Sequence, residues 1–391
     1  MAEPALSLDI LRELAKDRTE RELAQFAIEV KSRGGKLSLR QWLSLKWFPF
    51  WMRHEAKRVG SEEDLVAGAR HGDPYLQPLF AGMIETACNL AREMRLPVKS
   101  LGTIGVLPIG TPNAMAIKVP GTDDTLVVFQ QGLPLFLNRM IKITLSLDSA
   151  VPANERHNLD FNDPTWPERY RLLVRRTADL HPDVADQLLE LLKATIFSGN
   201  PNVAPPHHVS ALIKPARQQL LYHTEMFIIG HEIGHSILGH LEGGSKAAVS
   251  RIGDTAISTI KLEHIQEYQA DMLGFLIADA SAKKIADTIG LMSDLQVFCF
   301  TAPDFFFSAI ACLEEFMALA HGGWSSADSH PTSLSRRGQR RKFLESVNNE
   351  RALDLGRRLE VVICELSDRV RESFVQLVQS EVAMSPAWVS R

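Results

Sequence analysis

The chain has 391 residues, more than one ordinary domain, so a large domain with additions or two domains is expected. An apolar share of 45% and a charged share of 23% are those of a folded globular protein and exclude a largely disordered chain. A net charge of -4 gives no bias toward nucleic acid, and no nucleic-acid partner is expected from it.

The first 95 residues read as helical. Leu6, Leu8, Ile10, Leu11 and Leu14, then Leu23, Phe26, Ala27 and Val30, recur at helix-compatible spacing. The pattern of a secretory leader, a basic stretch followed by an apolar run, is not evident. After Gly34-Gly35 comes a basic and aromatic unit at 36–58, with Trp42, Trp47, Phe48, Phe50 and Trp51 among Lys36, Arg40, Lys46, Arg53, Lys57 and Arg58. Such aromatics ordinarily pack a small helical domain while the cations stay solvated. The same unit is the chain's candidate for surface contact with a membrane or a nucleic acid, although Pro49 prevents one continuous amphipathic helix.

Beyond Pro97 the composition turns to Ile, Val, Leu, Gly and Pro. Leu101–Val119 and Thr125–Phe129 read as two strands joined through Pro120-Gly121-Thr122-Asp123-Asp124. Residues 149–170 and 198–216 are rich in proline, asparagine and aspartate and flank a helical piece near Asp183–Phe197. The whole, about 149–216, reads as an insertion or lid, and its Pro205-Pro206-His207-His208 could cover a cleft. Helices are expected over roughly 217–241, 256–281, 283–320 and 350–382, the third broken near its start by Pro303. No window reaches the roughly 18 uninterrupted apolar residues of a spanning helix, so no integral membrane segment and a cytoplasmic location are expected. Cys88, Cys299, Cys312 and Cys364 are far apart and form no CxxC pair. Buried reduced thiols are expected, not disulfides or a cysteine-type zinc site.

The chemistry concentrates in His231-Glu232-Ile233-Gly234-His235. Four residues apart on a helix, the two imidazoles share a face about one turn apart, which suits two nitrogen ligands of a tetrahedral zinc. Glu232, next to the first histidine, can reach a metal-bound water and act as general base. Downstream, Glu267 and Asp271 are again four apart in a helical pattern, so one can complete the metal site while the other accepts a hydrogen bond from a ligand imidazole. A catalytic zinc takes three protein ligands and one open position, and His231, His235 and Glu267 supply that set. Spacing alone leaves Glu263 and His264 as competing third ligands.

The string His231-Glu-Ile-Gly-His-Ser-Ile-Leu-Gly-His240, followed by Glu267-Tyr-Gln-Ala-Asp271, resembles gluzincin endopeptidases of the CaaX-prenyl-protease and HtpX type. His240 stands where a histidine often does in that family, but it points off the ligand face and is not read as a ligand. Ser329-His330-Pro331 with Arg336 resembles the family's late His-Pro-x4-Arg element, and Pro112-Asn113-Ala114 with Val127-Val128-Phe129 and Gly132-Leu133 resembles the strand pair before the metal helix. The resemblance favours Glu267 as third ligand. It implies that Asn113 and Ala114 lie on an edge strand that pairs with an extended peptide or protein substrate, and that His330 steadies the developing charge on the scissile carbonyl. It covers about residues 100–345, without the membrane helices of the named members.

The expected architecture is α+β and predominantly helical, a zincin-like metallopeptidase core with a small mixed or antiparallel sheet and one zinc per chain. The expected plan is an N-terminal helical region at 1–95 for substrate or partner recognition, a peptidase domain at 96–345 and a C-terminal helical extension at 346–391. Two other readings use the same residues: a regulatory or binding protein whose HExxH helix is not catalytic, and a regulator of the repressor-cleaving type.

Overall fold

A computed structural model describes residues 76–98, 101–107, 110–118, 124–159, 163–242, 247–252, 255–260, 264–289, 292–321, 331–346 and 349–384. The basic aromatic unit at 36–58 and the helical pattern before residue 76 lie outside these. In chain order the elements begin α1 (Leu76–Glu93), β1 (Leu101–Leu107), β2 (Ala114–Lys118), β3 (Thr125–Gln130), α2 (Gly132–Ala150), α3 (Ala153–His157), α4 (Trp166–Leu180) and α5 (Pro182–Ile196). They continue with α6 (Lys214–Ile237), β4 (Ala247–Ile252), β5 (Thr255–Ile260), α7 (His264–Ile289), α8 (Met292–His321), α9 (Ser333–Ser346) and α10 (Glu350–Met384). The chain is predominantly helical with a small three-stranded mixed sheet, as its composition and patterning lead one to expect.

The chain forms two compact units. The first runs to Leu135 and adds Gly199–Val203 and Ile228–Ile277. At its centre is β3, which pairs in parallel with β1 and antiparallel with β2, leaving β2 at an edge. Thr125 to Phe129 are all buried, so β3 reads as a continuous apolar run and not as an alternating one. Helix α1 packs on β1 and buries Phe80, Met83, Ile84, Ala87 and Ala91 at helical spacing; Phe80 meets Phe129 with ring centroids 4.6 Å apart.

Leu101–Val119 is thus two strands, not one. Between them the backbone of Gly110 touches that of Gly132 and of Gly199, where any Cβ would overlap a carbonyl, so the chain must leave the sheet there. The flanking carbonyls are used: the Gln130 amide donates to Asn113 O and the Gln131 amide to Leu107 O, both at 2.9 Å. A second departure from expectation is the antiparallel β4–β5 hairpin, registered from Ala247↔Ile260 to Ile252↔Thr255, where a helix beginning near 256 was anticipated. The β-branched residues Val249, Ile252, Thr255, Ile257, Thr259 and Ile260 favour the extended backbone.

The second unit holds Phe136–Ser198, Ala204–Phe227 and the chain from Ala278 onward. Helix α10 is its spine, with α8, α4 and α5 all packed on it. Phe374 of α10 stacks with Phe197 at 5.6 Å and meets Phe316 of α8 edge-on at 4.9 Å. The proline-rich stretch at 149–216 therefore contributes two helices to this core, with Trp166, Tyr170, Val174, Leu188, Leu191 and Leu192 buried. The helix expected near 183–197 is α5, while α4 was not expected; Pro167 and Pro182 sit in first turns, where no intrahelical N–H is lost. Helix α8 runs unbroken through Pro303, where a break was expected. Among the described residues Gln296–His321 is the one helix long and apolar enough by composition to cross a membrane, and most of it is buried in the unit.

Charge is used sparingly inside. Glu365, nearly inaccessible, receives Arg171, Arg175 and Arg369, which hold its carboxyl below the usual range against the opposing effect of burial. Asp304 takes a two-pronged contact from Arg341 at 2.8 and 2.7 Å, and a Cβ on Gly356 would lie 2.5 Å from its Oδ2. Gly356→Ala is therefore expected to displace a buried ion pair and cost about 3–5 kcal/mol of stability, read by urea unfolding.

Candidate metal centre

Helix α6 carries His231 and His235 one turn apart, and their Nε2 atoms stand 3.0 Å from one another with the rings edge-on. Glu267, in the first turn of α7, closes the group: Oε2 is 3.6 Å from His231 Nε2 and Oε1 3.6 Å from His235 Nε2. All three side chains are buried, Glu267 to 1% exposure. Among the described residues this is the group able to hold a metal ion.

The geometry can be tested against chemistry. Zinc ligands about 2.0–2.1 Å from a tetrahedral centre are separated by roughly 3.3–3.4 Å. The three edges here, 3.0, 3.6 and 3.6 Å, bracket that value. Two neutral imidazoles and a carboxylate gathered in an interior cost solvation that a dication offsets. The donor set fits a divalent metal ion.

Behind the ligands lies an outer layer. Asp271 Oδ1 is 2.9 Å from His231 Nδ1, a contact in which Nδ1 donates and which would leave Nε2 as the ligating nitrogen of a neutral ring. His240 Nδ1 is 3.0 Å from His235 Nδ1, and His240 Nε2 is 3.2 Å from Gln269 Oε1. Thr125 of β3 meets Ser236 at 2.7 Å, tying the sheet to α6 immediately after His235.

Small residues bring Glu267 within reach. Gly230 and Gly234 on α6 face Ala270 and Gly274 on α7, four apart on both helices. A Cβ on Gly230 would lie 2.9 Å from Gly274 Cα, and one on Gly234 would lie 3.3 Å from Ala270 Cα. The backbones are therefore close enough for a glutamate to bridge to both histidines. Gly230→Ala is expected to force the helices apart, lowering stability by about 1–3 kcal/mol and weakening metal binding in the same variant. Denaturant unfolding with and without zinc checks both effects.

Helix α6 ends at Ile237, short of the expected 241. Gly239, at φ +72°, adopts the left-handed backbone; the His240 amide donates to His235 O at 2.9 Å and the Gly239 amide to Ser236 O at 3.2 Å. This is a Schellman close, and it folds the chain back so that the His240 ring returns to His235.

The structure brings together His231, His235, Glu267 and Asp271 as their spacing suggests, with Glu232 buried between the two histidines in the chain. Of the competing ligands, His264 is exposed at the start of α7, and Glu263 lies outside the described residues. Ala114 opens the edge strand β2 with Asn113 exposed just before it. Arg336 belongs to the second unit, where its guanidinium lies 4.8 Å over the Phe307 ring, and His330 is outside the described residues. Sequence reasoning set His240 aside and did not single out Gln269 or the Gly230-x3-Gly234 and Ala270-x3-Gly274 spacings. The small-residue spacing was open to view; the return of His240 depends on a single backbone dihedral. No family model, curated protein or solved structure matches the chain.

Proposed function

We propose that the protein is a zinc-dependent metalloendopeptidase of gluzincin type with a zincin-like core, acting on a peptide or protein substrate in the cytoplasm. The observation that carries this reading is the buried triangle of His231, His235 and Glu267, with a second carboxylate, Glu232, adjacent on the same helix. His231, His235 and Glu267 would hold the ion. Zinc held there supplies Lewis acidity, polarising a carbonyl and bringing the pKa of water down to about 7.

The chain's own residues do the rest. Glu232 takes the proton of the attacking water and delivers it to the departing amine, while Asp271 keeps His231 in the tautomer that ligates. Among the described residues β2, beginning at Ala114 with Asn113 beside it, is an edge strand, which supports pairing with an extended substrate and so an endopeptidase over an enzyme for small amides. The resemblance adds His330 as a donor to the developing oxyanion, with Arg336 in the same element.

The test is metal content of the purified chain together with cleavage of an unfolded protein substrate. One zinc per chain, activity abolished by chelator and restored by zinc are expected. A chain that binds zinc but cleaves no peptide in a broad library would overturn the enzymatic reading in favour of a non-catalytic regulator.

A further inference from the structure

We propose that His240 is a positioning residue for the metal centre: it holds His235 in its ligating tautomer through a one-way hydrogen-bond chain that ends on Gln269. The inference rests on the metal reading of the site. It follows from proton bookkeeping along three side chains. His235 Nε2 faces His231 Nε2 and Glu267 at ligand spacing, so a ligating His235 keeps its lone pair there and its proton on Nδ1. His240 Nδ1 lies 3.0 Å from that nitrogen and would accept the proton. A neutral His240 accepting at Nδ1 carries its own proton on Nε2, and that nitrogen sits 3.2 Å from the acceptor Oε1 of Gln269. In this assignment each donor meets an acceptor and His235 keeps Nε2 for a metal.

The arrangement makes the two ligand histidines unequal. His231 leans on a carboxylate, Asp271 at 2.9 Å, whereas His235 leans on a neutral imidazole. An anionic partner makes its histidine the more strongly donating ligand, and a neutral one orients without adding charge. Local backbone serves the same end: the left-handed turn at Gly239 returns His240 to the ring it orients, and Gln269 reaches it from α7, two residues past Glu267.

The test uses the full chain and asks about metal, not turnover. Asparagine places an acceptor Oδ1 close to where histidine has Nδ1, whereas phenylalanine keeps the ring without the acceptor. His240→Phe is expected to bind zinc about 10–100-fold more weakly, by competition with a chromophoric chelator, and to shift the visible absorption of the cobalt-loaded protein. His240→Asn is expected to stay within about threefold of wild type in affinity, with the wild-type cobalt spectrum. Gln269→Leu, on the exposed face of α7, is expected to weaken zinc by several fold, and serves should His240→Phe fail to fold. Wild-type affinity and spectrum in a folded His240→Phe, or in Gln269→Leu where His240→Phe does not fold, would overturn the relay. So would a His240→Asn variant as weak as His240→Phe, since that pattern reports packing alone. A wild-type chain that takes up neither zinc nor cobalt would overturn the metal reading and this inference with it; a metal-binding wild type with indifferent variants overturns the inference alone.

Discussion

Glu232→Gln is expected to retain zinc within a few fold of wild type while losing about 10²–10⁴-fold in kcat, the range a general base contributes. The substitution keeps the volume and polarity of a side chain that is 7% exposed, so the helix and the metal ligands on either side of it should be undisturbed. What it removes is basicity. An amide cannot take a proton from water or return one to a leaving amine. Zinc stoichiometry and single-turnover cleavage measured on one preparation separate the two effects. Turnover at the wild-type rate would remove Glu232 from the mechanism and leave the base to be found elsewhere.

Glu267→Ala should act on the metal itself. Loss of a ligand is expected to weaken zinc by more than the 10–100-fold that outer-layer changes typically cause. Saturating zinc at about a hundred times its Kd stabilises a folded chain by roughly 2.7 kcal/mol, so chelator should lower the melting temperature of wild type and leave that of Glu267→Ala nearly unmoved. The variant is expected to fold, because the lost side chain is a buried carboxylate whose desolvation is costly without a cation. Glu263→Ala provides the control: it should bind zinc as wild type does. The opposite pattern, with Glu263 essential and Glu267 dispensable, would overturn the ligand set.

What could be read in advance was what has a fixed period. His231 with His235, and Glu267 with Asp271, are each four apart, and a helix turns that spacing into a shared face. Which acid faces the histidines was not in the spacing, because Glu263 and Glu267 are themselves four apart. The choice depends on how closely α6 approaches α7, and Gly230, Gly234, Ala270 and Gly274 set that approach. The helical dominance and the small sheet were likewise within reach of patterning. The division of Leu101–Val119 was not, since it turns on the Gly110 backbone touching Gly132 and Gly199, distant neighbours in the chain. The β4–β5 hairpin took only the first residues of the helix expected from 256, which begins instead at His264; the β-branched residues there favour a strand. Helix α4 was hidden for the opposite reason: proline was taken as a breaker where it begins a helix.

The way the chain is shared between its units carries a practical consequence. The unit that holds the metal residues is assembled from three separate stretches, ending at Leu135, spanning Gly199–Val203, and spanning Ile228–Ile277. Each boundary at 135, 227 and 277 falls inside a helix and not in a linker. No single pair of cuts therefore excises that unit, and a truncation made at any of these points leaves half a helix behind. Deletion mapping, the usual route to a minimal active fragment, is poorly suited to this protein. Point substitutions in the intact polypeptide are the appropriate instrument, and a protease that nicks one of the three shared helices should inactivate the whole chain at once.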